Sequence, residues 1–331
     1  MSETPRPEDS EAPVVVEEAP TQLADSTQVE VHQPRQRGWL HGIRRSRPLR
    51  QLRRNRAAMA SLIFLLLLTL ASVFAPLLAT HDPNAQSLID QLQGPSSEHW
   101  LGTDTFGRDV FSRLLYSGRV TLLAVVQALT LAAVLGIPLG LLAGFIKGPV
   151  DAVLSRLFDA LLSLPPLILA IAIVGILGPS LTNAMIAIGI VLAPPLFRLA
   201  RGAAQSVSTE TYVEACRAIG CSQWRLIWRH VLPNASSPLL VQLTFSAGII
   251  VIAEASLSFL GLGTQIPQSS WGTMLRDAFD SIYDSPWFMI APTVMVVLTI
   301  LSFATFGDGL RDALEGRGVQ RVSKKPPAPR T

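Results

Sequence analysis

Apolar residues along this chain fall into long blocks. Each block is about as long as an α-helix needs to be, about 20 residues, to cross a hydrocarbon layer roughly 30 Å thick. The pattern predicts an all-α membrane protein with six transmembrane helices, at 57–79, 120–145, 160–178, 182–200, 236–260 and 287–306. Pro165-Pro166 breaks the first turn of the third helix and Pro194-Pro195 falls late in the fourth. Prolines are tolerated in membrane helices where neighbours satisfy the freed carbonyls, so both segments keep their assignment. Gly136, Gly140 and Gly144 recur every four residues in the second helix, a spacing that lets another helix approach closely, and Gly248 interrupts the fifth.

Composition agrees with lipid as the solvent: 49% of residues are hydrophobic and 15% charged, where soluble domains carry about a quarter charged. The net charge of +3 is small but unevenly placed, with nine arginines from Arg35 to Arg56 directly ahead of the first apolar block. Such a run reads as a cytoplasmic orientation signal lying against the anionic leaflet, not as a nucleic-acid arm. With the N-terminus inside, only Arg108, Arg113, Arg119 and Arg276 of the 27 Lys and Arg residues fall in the outer segments, and both termini are cytoplasmic. The charged leader and the first apolar block are too long for a cleavable signal peptide. The chain divides into a tail at 1–34 without periodicity, expected to be disordered, and a basic juxtamembrane segment at 35–56. The first helix with its outer segment follows at 57–119, the helical core at 120–310 and a cytoplasmic tail at 311–331.

The inner loop 201–235 is patterned beyond what a connector needs. Residues from Thr211 favour helix, Gly220 supplies a flexible C-cap position, Ser222 can N-cap a second helix, and Pro233 limits its continuation. The expectation is a helix, a glycine turn and a second helix. On the second, Trp224, Ile227, Trp228 and Val231 share an apolar face. That face packs on the chain's own membrane helices, sits at the lipid interface, or enters a groove of a soluble partner. Thr211 and Glu214 also match a capping box.

This loop is similar to the cytoplasmic EAA loop of ABC importer permeases, with Glu214, Ala215, Gly220, Leu232 and Pro233 in register; Cys216 and His230 depart from that pattern. The stretch Trp100 to Arg119, containing Asp104, Arg108 and Asp109, resembles the sequence ahead of the second helix in dipeptide, oligopeptide and nickel permeases. Its Phe111, Leu114, Leu115 and Gly118 spacing predicts a short interfacial helix. Glu254 to Gly263, with Pro267 and Ser270-Trp271-Gly272, resembles the C-type subunit of those systems.

The resemblance implies the type I permease fold in a bacterial inner membrane, with the loop as the coupling element that docks on an ATPase. It also implies a homologous second permease, two cytoplasmic ATPase subunits holding ATP and Mg²⁺, and an extracytoplasmic solute-binding protein. Glu254, Asp104 and Arg108 become candidates for the pathway or the outer gate, Glu254 as an ionisable group within a membrane helix. For Asp104, Arg108 and Asp109, mutual turn contacts compete with solute contact.

No chemistry of its own is expected. The three lysines, Lys147, Lys324 and Lys325, follow no glycine, so there is no Walker A loop. GxSxG and HExxH are absent, which removes the usual hydrolase signatures. His81, Asp82 and His99 have no recognisable ligand spacing, and Cys216 and Cys221 match neither a CxxC nor a zinc pattern, so no metal is expected. A proton-coupled secondary transporter would often show inverted repeats, and none is visible.

Overall fold

The computed structural model describes residues 47–315. The tail expected at 1–34, the basic segment up to residue 46 and the C-terminal end beyond 315 lie outside the described residues. Twelve α-helices follow one another: α1 Arg47–Arg54, α2 Arg56–Val73, α3 Ala75–Leu78, α4 Val110–Ile146, α5 Gly148–Leu162, α6 Pro166–Leu177, α7 Leu181–Ser208, α8 Thr211–Ala218, α9 Gln223–Leu226, α10 Leu232–Phe259, α11 Trp271–Asp280 and α12 Ile290–Glu315. Among the described residues there is no β-strand, only an isolated bridge between Thr103 and Asp109.

Among the described residues, five helical stretches are long and apolar enough to cross a membrane: Arg56–Val73, Val110–Ile146, Leu181–Ser208, Gln223–Phe259 and Pro286–Leu314. The expected third span differs. At Pro165-Pro166 the chain turns by 92° between α5 and α6, so this region counts as a crossing only if the bent pair is taken together. A proline cannot donate the helical hydrogen bond and pushes the residue before it out of the α region, so two in succession end α5. Alone, the 12 residues of α6 rise about 18 Å, well short of a hydrocarbon core.

The other spans shift at their ends. The first stops at Val73, and a separate turn, α3, follows with Pro76 near its start. The second begins ten residues early, because Asp109 N-caps α4 by accepting a hydrogen bond from the Ser112 amide at 2.8 Å. The short interfacial helix expected around Phe111–Gly118 is therefore the first part of a membrane helix. The fourth passes through Pro194-Pro195 and ends only at Ser208. The fifth starts at Gln223, far ahead of residue 236, because Pro233 does not stop it: a five-residue π-helical turn at Ile227–Val231 joins α9 to α10. A wider turn relieves the clash between a proline ring and the carbonyl four residues before it, so the helix axis continues.

The molecule is organised around α4 and α7. A Cβ built on Gly136 would stand 2.6 Å from the Ala193 carbonyl oxygen and one on Gly140 2.5 Å from that of Phe197, and Gly144 faces Arg201 in the same way. The two backbones thus touch along three successive turns. Outside this seam, Arg201 donates from its guanidinium to Asp151 at 2.8 Å and Arg198 to Asp159 at 2.6 Å, fastening α5 to α7. Leu66, Leu67, Val126, Val134 and Leu301 point outward and are exposed, as lipid-facing or subunit-facing positions require.

Gly140→Ala forces backbone away from backbone and is expected to destabilise the protein by about 1–3 kcal/mol. Gly202→Ala, where a Cβ meets open space on the same pair of helices, is expected to be neutral or slightly stabilising. Thermal unfolding of the two variants in one detergent measures the difference.

Candidate coupling surface and outer polar cluster

The coupling candidates lie on α8, α9 and the turn between them. Gly220 has φ +83°. The Gly220 amide donates to the Arg217 carbonyl at 3.0 Å and the Cys221 amide to the Cys216 carbonyl at 3.0 Å, the paired bonds of a Schellman turn. The Ser222 hydroxyl then accepts from the Arg225 amide to cap α9. The capping box at Thr211 and Glu214 does not form: Glu210 holds the N-cap position without a side-chain bond, and Thr211 is already the first helical residue. Glu214 and Ala215 are exposed, and among the described residues the Glu214 carboxylate has no hydrogen-bond or ion-pair partner. Leu232 and Pro233 are half-buried where the π-helical turn passes into α10.

The expected apolar face, which runs from α9 into the π-helical turn, divides in two. Leu226, Ile227 and Val231 are buried with Val213 against Leu141, Phe145, Ala200 and Ala204 of α4 and α7. Trp224 and Trp228 remain exposed and meet edge to face at 5.4 Å. Two contacts absent from the sequence pattern brace α8. The Arg217 guanidinium lies 4.8 Å from the Phe145 ring centre, and the Asn234 amide donates to the Tyr212 hydroxyl at 2.7 Å and to the His230 carbonyl at 2.8 Å.

At the other end of the helices, Asp104 and Arg108 are brought together. The Asp104 carboxylate accepts from the Phe106 and Arg108 amides at 2.8 and 3.0 Å and from Arg108 Nε at 2.6 Å. Arg108 also reaches Asp277 of α11 at 3.3 Å, while Arg113 lies 3.4 Å from Asp104 and 3.9 Å from Asp277. Burial raises the Asp277 carboxyl above its ordinary value although both arginines oppose this. Asp109 is separate from this group: it caps α4 and accepts from His99 at 3.0 Å. Burial alone would raise its carboxyl, but bonds from the Ser112 hydroxyl and amide and from His99 hold it below the usual range. Arg108 lines a cavity of about 310 Å³ together with Gln265, Arg276 and Asp277.

Glu254 stands apart from both. It is fully buried in α10, accepting from the Ser258 hydroxyl at 2.7 Å and the Thr121 hydroxyl at 3.4 Å, with Ser270, the cap of α11, as a third hydroxyl partner. It thereby joins α4, α10 and α11. Sequence reasoning passed over Asp277 beside Arg108 and Thr121 beside Glu254, because partners over 130 positions apart leave no local spacing to read.

Residues 136–318 match the family described as binding-protein-dependent transport system inner membrane component, and residues 46–95 match the N-terminal TM domain of oligopeptide transport permease C. The dipeptide transport system permease protein DppC of Alkalihalophilus pseudofirmus is 44% identical over 80% of this chain and 88% of its own length. The probable D,D-dipeptide transport system permease protein DdpC of Escherichia coli is 43% identical over 77% of this chain and 86% of its own. The glutathione transport system permease protein GsiD of Pectobacterium atrosepticum is 39% identical over 80% and 89%. An inward-facing structure of the MetNI methionine ABC transporter has the same fold, with a TM-score of 0.52 at 20% identity over 61% of this chain and 97% of that one. The chain belongs to the inner-membrane permease family of binding-protein-dependent transport systems, and it is a multi-pass permease of the ABC importer type.

Proposed function

We propose that this chain forms half of the pathway of an ATP-driven importer for short peptides or related small solutes, paired with a homologous permease. Two cytoplasmic ATPase subunits, which hold the ATP and Mg²⁺, engage α8 and α9, and an extracytoplasmic binding protein delivers the solute. The peptide cargo follows from the relatives named for dipeptides, D,D-dipeptides and glutathione.

The observation that carries the coupling assignment is the split face of α9. Its inner half is locked onto α4 and α7, while Trp224 and Trp228 face outward, as does the unpartnered Glu214 of α8. An exposed tryptophan pair on a short, braced helix is the kind of aromatic anchor that fills a partner's pocket. Because α9 runs into α10 without a break, a push on α9 moves one continuous 37-residue helix. Glu254 lies on it about 45 Å away. There its hydroxyl partners carry the displacement to α4 and α11. In this reading Glu254, Asp104 and Arg108 hold the outer gate in shape, and solute meets mainly other surfaces. ATP shifts the inward-to-outward equilibrium only as far as it binds the two states differently.

Gly220→Val tests coupling by conformation alone, since a side chain there meets open space but pays about 1 kcal/mol or more at positive φ. Permease abundance in the membrane is expected to hold while uptake and ATPase co-purification fall. Gly220→Asn, which tolerates that backbone, should recover much of both, and Glu214→Ala should lower uptake without lowering abundance. Full uptake with full ATPase retention in Gly220→Val would remove α8 and α9 as the coupling element.

The bent pair α5–α6 is taken as one crossing, giving six in all with both termini inside. In sealed cells, Ser97→Cys and Tyr283→Cys should then both react with an impermeant thiol reagent while native Cys216 and Cys221 stay protected. If the pair does not cross, residues 97 and 283 fall on opposite sides, and only one of the two variants gains external labelling.

A further inference from the structure

We propose that His81, Glu98 and His99 form a binding site for a first-row divalent transition metal, with Asp109 as the buried carboxylate that orients the His99 imidazole. This rests on side chains remote from α8 and α9 and does not depend on the coupling assignment.

Seventeen residues of chain separate the two histidines, yet one ligand atom from each of the three residues lies within 4.8 Å of the others. The imidazole rings approach to 4.7 Å between centres with 37° between their planes. Backbone bonds hold them there. The His81 amide donates to the Ser112 hydroxyl at 3.1 Å, and the His99 amide donates to the Ser96 hydroxyl at 3.0 Å while its carbonyl accepts from the Ser96 amide at 2.8 Å.

The chemistry of the donors is polarised toward a ligand. His99 Nδ1 stands 3.0 Å from Asp109 Oδ1, and His81 Nδ1 stands 3.0 Å from the Thr80 hydroxyl and 4.0 Å from the same carboxylate oxygen. A carboxylate at Nδ1 makes that nitrogen the proton donor, which leaves the Nε2 lone pair of His99 free for a metal and strengthens it as a base. Asp109 can do this because its side chain is only 1% exposed and its other oxygen is engaged by the Ser112 amide. Glu98 is exposed, and among the described residues its carboxylate has no hydrogen-bond or ion-pair partner.

Two imidazoles and one carboxylate suit Zn²⁺, Ni²⁺ or Cu²⁺, and disfavour Mg²⁺ and Ca²⁺, which require oxygen ligands. Bonds of about 2.0–2.1 Å in a tetrahedral shell need ligand atoms roughly 3.3 Å apart. Closing in from the 4.8 Å outer limit takes side-chain rotation at Glu98 and at the two histidines, with the pinned backbone left in place. Three protein ligands leave a position for water, and the bound metal fastens the segment after α3 and the loop around residue 98 to the capped start of α4.

The test is Zn²⁺ titration by calorimetry on the full-length, chelator-treated protein in nanodiscs, with thermal unfolding in parallel. Wild type is expected to bind one Zn²⁺ equivalent that Glu98→Gln, His81→Gln and His99→Gln each weaken by at least about tenfold, and Zn²⁺ should raise the unfolding temperature of wild type but not of Glu98→Gln. The remaining histidines and both cysteines are common to all four proteins, so their binding cancels. Glu98 is exposed and unpartnered, so Glu98→Gln decides the matter even if a histidine variant fails to fold. Unchanged Zn²⁺ binding in Glu98→Gln would overturn the site, whether because no metal binds or because only the imidazole pair does.

Discussion

The backbone contact between α4 and α7 is the constraint on which the other parts depend. Lipid supplies no hydrophobic force between helices, so association rests on dispersion and on how closely the two chains approach. Glycine at 136, 140 and 144 sets that distance. Ala124 and Val125 with Met185 and Ile188 fill the middle of the seam, and Ala143 with Ala193 and Phe197 lies further along. Leu141 and Phe145 with Ala200 and Ala204 form its end. The last group is the floor under α8 and α9, so the position of the proposed coupling surface is inherited from the spacing of two membrane helices.

The route out of that floor is a compromise between a proline and a continuous helix. A proline next to Leu232 should end the helix, and an interrupted helix would transmit little. The π-helical turn at Ile227–Val231 resolves this by widening the backbone where the ring must fit. It leaves α10 as a continuous helix between the bracing contacts of Asn234 at one end and the hydroxyl set of Glu254 at the other.

Legibility followed the range of the interactions. The apolar blocks, the glycine steps and the turn at Gly220 were readable because each is decided within a few residues by hydropathy, size or backbone freedom. The Thr211 and Glu214 pattern misled because Glu210 took the cap one residue earlier. The early start of α4 was hidden because Asp109 reads as a turn residue until its bond to the Ser112 amide is seen. The third span was hard to read because apolar length cannot distinguish a straight crossing from one folded by 92° at a proline pair. Asp277 beside Arg108 and His81 beside His99 are tertiary meetings with no trace in local spacing.

The tryptophan pair has a consequence for biogenesis. Trp224 and Trp228 present their aromatic surface to water as long as nothing covers them, and an uncovered apolar patch outside the bilayer is a surface for nonspecific association. If the proposed ATPase subunits are what cover this pair, a permease made in excess of them exposes an adhesive spot on every surplus copy.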